Sequence, residues 1–369
     1  MHMKNADCKE VRERSSERSP FFPNLDYAKL IMALLVVEIH TKPFMSLGSP
    51  VLNRIVEGVD CVAVPFFFIA SGFLCFKSID ASELRDRCPL AALRIIATIK
   101  KLLLLYVIWF IIYLPIDLFG SIEAGNGLAK AIALEVRGFV FVGEGYFSWP
   151  LWYLLASAVA FAIIYFLSKY MRVTSILAMS FLMLIIGFAI GEINNSGVVA
   201  PLLSPILDAY FLIFGNVRNG LFEGFFYVSL GALLGTIWKP CLRIPVPALL
   251  GMVFGGALGC ILITPSAHLP FCIVFSLGLF LMAIRKTDQQ QRLLAVISRN
   301  ASTVVYLVHM LFVVAFVYGI LGWSGEWGTL LDYPHAILYI FALSSSFAIT
   351  LVAIPLARRY RLVKTVFGI

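Results

Sequence analysis

Ten apolar runs, each near the length a helix needs to cross a bilayer, lie along this chain. They fall near residues 26–44, 58–76, 93–116, 149–167, 174–191, 220–238, 246–264, 268–284, 301–321 and 335–356, separated by polar residues, Pro and Gly. A spanning helix takes about 20 predominantly apolar residues, far more exposed hydrocarbon than a water-soluble element tolerates. Of the 369 residues, 60% are hydrophobic and 14% charged, against about 25% charged in an ordinary soluble domain. A soluble globule is thereby excluded. A transmembrane barrel would alternate apolar and polar positions in segments of about ten residues, and the runs here do not alternate. The expected fold is all-α: a polytopic membrane protein with about ten transmembrane helices.

Charge sets the expected orientation. With residues 1–24 in the cytoplasm, the 29 Lys and Arg fall almost wholly in inner segments. The outer ones hold only Lys42, Arg54, Lys130, Arg137 and Arg218, and Lys29 sits inside the first span. That is the positive-inside pattern, with both termini cytoplasmic. The net charge of +8 therefore reports topology, and no nucleic-acid partner is expected. The chain divides into a cytoplasmic disordered tail over 1–24, a ten-helix membrane domain over 25–356 and a cytoplasmic basic tail over 357–369. The tail is too charged for a signal peptide; Met1-His2-Met3 reads as a cloning scar, so His2 receives no role. The seven Cys show no metal-binding spacing. They read as reduced apolar residues, and no metal site is expected. The long outer stretches near 117–148 and 192–219 read as partly re-entrant caps. Among the outer-loop acids, Asp117, Glu123, Glu326 and Asp332 are assigned to the orientation rule.

Ionisable residues inside an apolar helix cost about 2.5–3.5 kcal/mol each near the bilayer centre, so they need a reason. The first span carries Lys29, Glu38 and His40. Lys29 and His40, eleven positions apart, return to within about 20° of one face, with about 16 Å between them along the axis. A stripe through Ala33 and Val36 would then line a path between the two sides, and Glu38 would face nearly opposite to His40. Lys29 either serves this path or snorkels to inner headgroups. His40 either caps a helix end or acts as a base, since a neutral imidazole is the side chain best suited to take a proton from a hydroxyl near pH 7.

Elsewhere each candidate has a bland reading beside a functional one. Pro65 should kink the second span, where Ser71 and Gly72 admit a neighbouring backbone; Ser71 is otherwise a hydroxyl donor to a ligand. Ser302, Tyr306 and His309 share a face of the ninth span, and His309 is either a hydrogen-bonded core histidine or a site residue. Trp149, Trp152 and Tyr153 read most simply as an interfacial aromatic belt, the other reading being a stacking surface for an acceptor. Arg218 is either a headgroup anchor or a fork for a carboxylate or phosphate.

Taken together, these residues resemble the membrane-bound acyltransferase family 3. Lys29 and His40 match its basic-x10-His hallmark, with Lys where Arg is commoner. Phe66-Phe67-Phe68-Ile69-Ala70-Ser71-Gly72-Phe73 matches its F-F-x-x-S-G-F signature; Trp149-Pro150-Leu151-Trp152-Tyr153-Leu154 and Val305-Tyr306-Leu307-Val308-His309 match later motifs. The sequence departs from the family where Ala63-Val64-Pro65 replaces a common acidic residue. There, in His40-Thr41-Lys42-Pro43 and in Arg218-Asn219-Gly220-Leu221-Phe222, it looks more like the branch containing the membrane domain of VanT-type serine racemases. Members of that branch carry a soluble racemase domain after the membrane part, which the short segment 357–369 is not expected to supply.

The resemblance implies a bacterial inner-membrane O-acyltransferase that moves acetyl from cytoplasmic acetyl-CoA to a hydroxyl of an outward-facing cell-surface polysaccharide or lipid-linked acceptor. Acetyl-CoA is a co-substrate, and no cofactor is expected to stay bound. His40 would be the general base. Lys29, Arg94 and Lys101, with Arg85, Arg87 and Lys100, would meet CoA phosphates, although these inner charges also satisfy the orientation rule without any ligand. Ser71, Trp152, Arg218, Tyr306 and His309 would contact the acceptor or the developing oxyanion. The rival reading is a non-catalytic transporter or flippase for a small amino acid such as serine, or for a lipid-linked precursor. Its support is the same intramembrane charge.

Overall fold

A computed structural model describes residues 21–79, 89–197, 201, 203–263, 268–285, 292–322 and 335–369. The described residues are helical and contain no strand. All ten expected spans fall on helices. We label the helices α1 (Pro23–Thr41), α2 (Pro50–Asp60), α3 (Ala63–Phe76), α4 (Pro89–Glu123), α5 (Leu128–Arg137), α6 (Trp152–Leu167), α7 (Val173–Ser196), α8 (Ser204–Phe214), α9 (Glu223–Thr236), α10 (Val246–Leu262), α11 (Leu269–Ala283), α12 (Arg292–Val314), α13 (His335–Arg359) and α14 (Arg361–Phe367). Six helical stretches are long and apolar enough to cross a membrane: 50–76, 91–123, 149–167, 173–196, 292–320 and 335–359. In lipid every backbone N–H and C=O must be paired within the segment, and apolar runs of this length meet that demand as helices. Proline marks several starts, as at Pro23 and Pro50. Glycine in the left-handed region closes α7 at Gly197 (φ 66°) and α14 at Gly368 (φ 66°).

The second span is broken rather than bent. α2 ends at Asp60 and α3 begins at Ala63, so Pro65 falls in the first turn of a new helix, where a missing N–H costs nothing. The small-residue reading of Ser71-Gly72 holds for Gly72: a Cβ there would sit 2.2 Å from the Val228 carbonyl oxygen, and one on Gly231 2.1 Å from that of Ile69. The backbones of α3 and α9 touch at these glycines, the small-residue packing of membrane helices.

α4 runs to Glu123, seven residues past the expected end of its apolar run. This corrects the reading of Asp117, which is a buried anchor rather than an orientation-driven surface acid. It accepts from the Phe147 N–H (2.6 Å), the Ser148 N–H (3.1 Å) and the Ser148 hydroxyl (2.6 Å). Glu135 on α5 takes the neighbouring Tyr146 N–H at 3.2 Å. Burial, reinforced by Asp117 nearby, pushes the Glu135 carboxyl up to about 7. The loop 143–148 is thus tied to α4 and α5, which sets the start of the turn before α6. Glu326 and Asp332 lie outside the described residues, as do residues 1–20 of the expected disordered tail.

α12 lies along α1, and α14 docks on α4. In the latter, the Trp109 indole N–H donates to the Val366 carbonyl (2.7 Å) and Lys101 Nζ to that of Gly368 (2.9 Å). The expected basic tail is therefore largely a helix packed against the bundle. Cys61, Cys75, Cys241, Cys260 and Cys272 are free thiols; Cys8 and Cys88 lie outside the described residues.

Candidate functional site

Two ionisable residues of α1, His40 and Lys29, turn to the same neighbour. The His40 ring lies 5.4 Å from that of His309 on α12, tilted by 31°, and 6.0 Å from Trp149. Eleven residues earlier, Lys29 lies within electrostatic range of Asp26, Lys101 and Arg299, the last also on α12. The shared face expected for Lys29 and His40 is thus the face that meets α12. Glu38 points elsewhere, as its spacing required.

The end of α1 is held firmly. Lys42 adopts the left-handed conformation (φ 46°), its N–H returning to the Glu38 carbonyl at 2.7 Å. The Thr41 hydroxyl donates to Val37 (2.8 Å), and His335 Nδ1 donates to the Thr41 carbonyl at 2.9 Å. His309 is fully buried. Its Nδ1 lies 3.0 Å from the Val305 carbonyl, which can only accept, so Nδ1 carries the proton and Nε2 the lone pair. That Nε2 has no hydrogen-bond partner. A buried, unpartnered basic nitrogen beside a second imidazole suits proton transfer.

Aromatic residues wall this pair. The Tyr306 hydroxyl donates to the Pro150 carbonyl and the Tyr113 hydroxyl to Leu307 (2.7 Å), while Tyr153 shares a 2.6 Å hydrogen bond with Ser71. Trp149, Trp152 and Tyr153 are therefore no lipid-facing belt. They pack on His40, Phe68 and Tyr306 inside the protein, because the turn at 149–151 directs them inward. The Ser71 and Tyr306 hydroxyls are both engaged by neighbours. Ser302 donates to the Arg299 carbonyl (2.8 Å) within α12. Arg218 is exposed, 3.9 Å from Glu144 and 5.7 Å from the Trp152 ring.

At the other end of the α1–α12 contact, Lys29, Lys77 and Arg299 lie within electrostatic range of the single carboxyl of Asp26, and Lys101 within range of Lys29 and Arg299. Lys77 and Arg299 escaped the sequence reading because the orientation rule absorbs basic residues at inner helix ends. One signal was present: Arg299 precedes His309 by ten positions, much as Lys29 precedes His40 by eleven. Arg94 donates to the Ser78 carbonyl (2.8 Å); Arg85 and Arg87 lie outside the described residues. Between the two ends, Ala33 and Val36 are buried at 0% and 3% exposure. The path expected along them is packed shut, since these small apolar side chains serve as the α1 core face. Among the described residues, no three His, Cys, Asp or Glu side chains gather to hold a metal.

On the Glu38 face of α1 lies a cavity of about 600 Å³ whose polar lining includes Glu38, Lys42, Glu57, Asp60, Arg218 and Glu223, with apolar residues and Trp152 around them. His40 and His309 are not part of its lining.

Residues 22–354 match the family model described as an acyltransferase domain. A protein from Enterococcus faecalis named amino-acid racemase is 32% identical over 220 residues, 58% of this chain and 28% of the relative. A second of the same name and organism is 27% identical over 305 residues, 79% of this chain and 41% of the relative. The chain thus spans well under half the length of these relatives. No solved structure matches it.

Proposed function

Since the chain belongs to acyltransferase family 3, we propose that it is an O-acyltransferase of the bacterial inner membrane, with both termini cytoplasmic. It takes acetyl from cytoplasmic acetyl-CoA and delivers it to a hydroxyl of an outward-facing cell-surface glycan or lipid-linked acceptor. The observation that carries the reading is the pairing of His40 with His309 at one end of the α1–α12 contact and a basic cluster at the other.

In this reading, Lys29, Lys77, Lys101 and Arg299 attract the phosphates of the donor through charge-assisted contacts. His40 accepts the proton of the acceptor hydroxyl as the oxygen attacks the thioester carbonyl; the C–S bond then breaks and the proton passes to the departing thiolate. His309, with its proton fixed on Nδ1, offers Nε2 as acceptor to the protonated His40 ring, holding it in orientation. Incubating the purified protein with labelled acetyl-CoA and crude envelope acceptors tests this directly. Labelled product is expected from wild type, and its absence with every envelope fraction removes the enzymatic reading.

A second reading is favoured by the names of the relatives and by the acid-lined cavity. It makes the protein a carrier for a small amino acid or lipid-linked precursor, moving substrate without CoA. Uptake that is independent of acyl-CoA and survives loss of His40 would select it.

A further inference from the structure

The acyl-transfer reading leaves the cavity on the Glu38 face of α1 without a task. Glu38 is only 6% exposed, yet its Oε2 has no hydrogen-bond partner; the same is true of Asp60 Oδ1 at the end of α2. Both residues line the cavity. Glu57 and Glu223 also line it, so four carboxyl groups face the two basic side chains of the lining, Lys42 and Arg218. Among the described residues, no lysine or arginine stands within ion-pair distance of Glu38 or Asp60. Of the two basic lining residues, Lys42 is therefore not their partner, and Arg218 lies beside Glu144. A buried charge without a partner is costly enough that proteins supply a counter-charge or a ligand.

We propose that this cavity binds a small molecule through a primary ammonium group seated between Glu38 and Asp60. An ammonium carries one positive charge and three N–H donors. Two match the open oxygens Oε2 and Oδ1, and the third faces the cavity, where Asn53 is a lining side chain. Val64, Pro65, Phe188 and Leu269 form apolar walls for the body of the ligand. A volume of about 600 Å³ is the size of a small-molecule site and far exceeds what a bare metal ion needs. The site stands on the opposite face of α1 from the imidazole pair, so it does not depend on the acyl-transfer reading.

Benzylamine and benzyl alcohol, alike in shape and different in charge, are suitable probes for the purified protein in detergent. Titration calorimetry should detect benzylamine and not benzyl alcohol. Glu38→Gln and Asp60→Asn, which keep shape and remove the charge, should each weaken benzylamine about tenfold or more, as expected for loss of a charge-assisted contact. His309→Gln should bind it as wild type does. Leu269→Trp, which fills the cavity with both carboxyls in place, should lose the probe and covers the case in which a carboxyl variant does not fold. Equal binding of the two probes, wild-type binding by Glu38→Gln and Asp60→Asn, or retained binding in Leu269→Trp overturns the proposal.

Discussion

His40 and His309 carry different burdens, and substitution separates them. His40→Ala removes the base that receives the hydroxyl proton, so labelled-acetyl transfer should fall about 10²- to 10⁴-fold with the melting temperature near that of wild type. Turnover within threefold of wild type would take His40 out of the mechanism. His309→Gln, whose amide cannot take up a proton, should depress the rate and alter the acidic limb of the pH–rate profile. At the other end of α1, Lys29→Ala and Arg299→Ala should each raise the KM for acetyl-CoA with kcat little changed, and Lys29→Arg should restore most of the affinity. An unchanged KM in both alanine variants would mean that these side chains only meet headgroups. Lys29, His40 and His309 were legible because charge inside an apolar helix advertises its own cost. The engagement of Ser71 by Tyr153 was not: their 2.6 Å contact joins residues 82 positions apart, and no local pattern encodes such a meeting.

At the scale of elements, the spans were legible for the same reason that they are helices, since lipid demands long apolar runs with self-satisfied backbones. Their crossings were legible only where a glycine marked the approach. Gly72→Ala drives a Cβ into the backbone of α9 and should cost about 1–3 kcal/mol, as overpacking does. Gly255→Ala on α10, with nothing within 4 Å, should leave the melting temperature level or slightly raised; equal losses at both positions would mean that the α3–α9 contact is not close. The fold-back before α6 was illegible, because Asp117 and Glu135 bind loop N–H groups 31 and 11 positions away. It has a pH signature. The Glu135 carboxyl titrates at about 7 in the fold against 4.5 when unperturbed, so the folded state holds the proton more tightly. The stability this provides is complete below about 4.5 and declines as pH rises towards 7. Glu135→Gln should flatten that part of the stability–pH curve measured by thermal melting; a variant curve parallel to wild type would remove Glu135 as its source.

For the molecule as a whole, the α1–α12 pair links two chemically different ends without an open channel between them. Lys29 and His40 are separated by about 16 Å of helix axis, and Ala33 and Val36 between them are buried. Acetyl delivered from one side to the other must therefore ride on a donor arm that parts these helices, or the two ends must open in turn. Sidedness is the decisive property. In a background with all seven cysteines replaced, Lys100→Cys and Arg218→Cys place thiols at exposed positions near the two ends. A membrane-impermeant reagent should reach position 100 only from the cytoplasm and position 218 only from outside, and CoA should protect 100 while leaving 218 reactive. A carrier would show no protection by CoA, and its substrate would change reactivity at both positions as access alternates. Labelling of both from one side would break the positive-inside orientation, and with it the idea that this protein carries an acetyl group across the membrane.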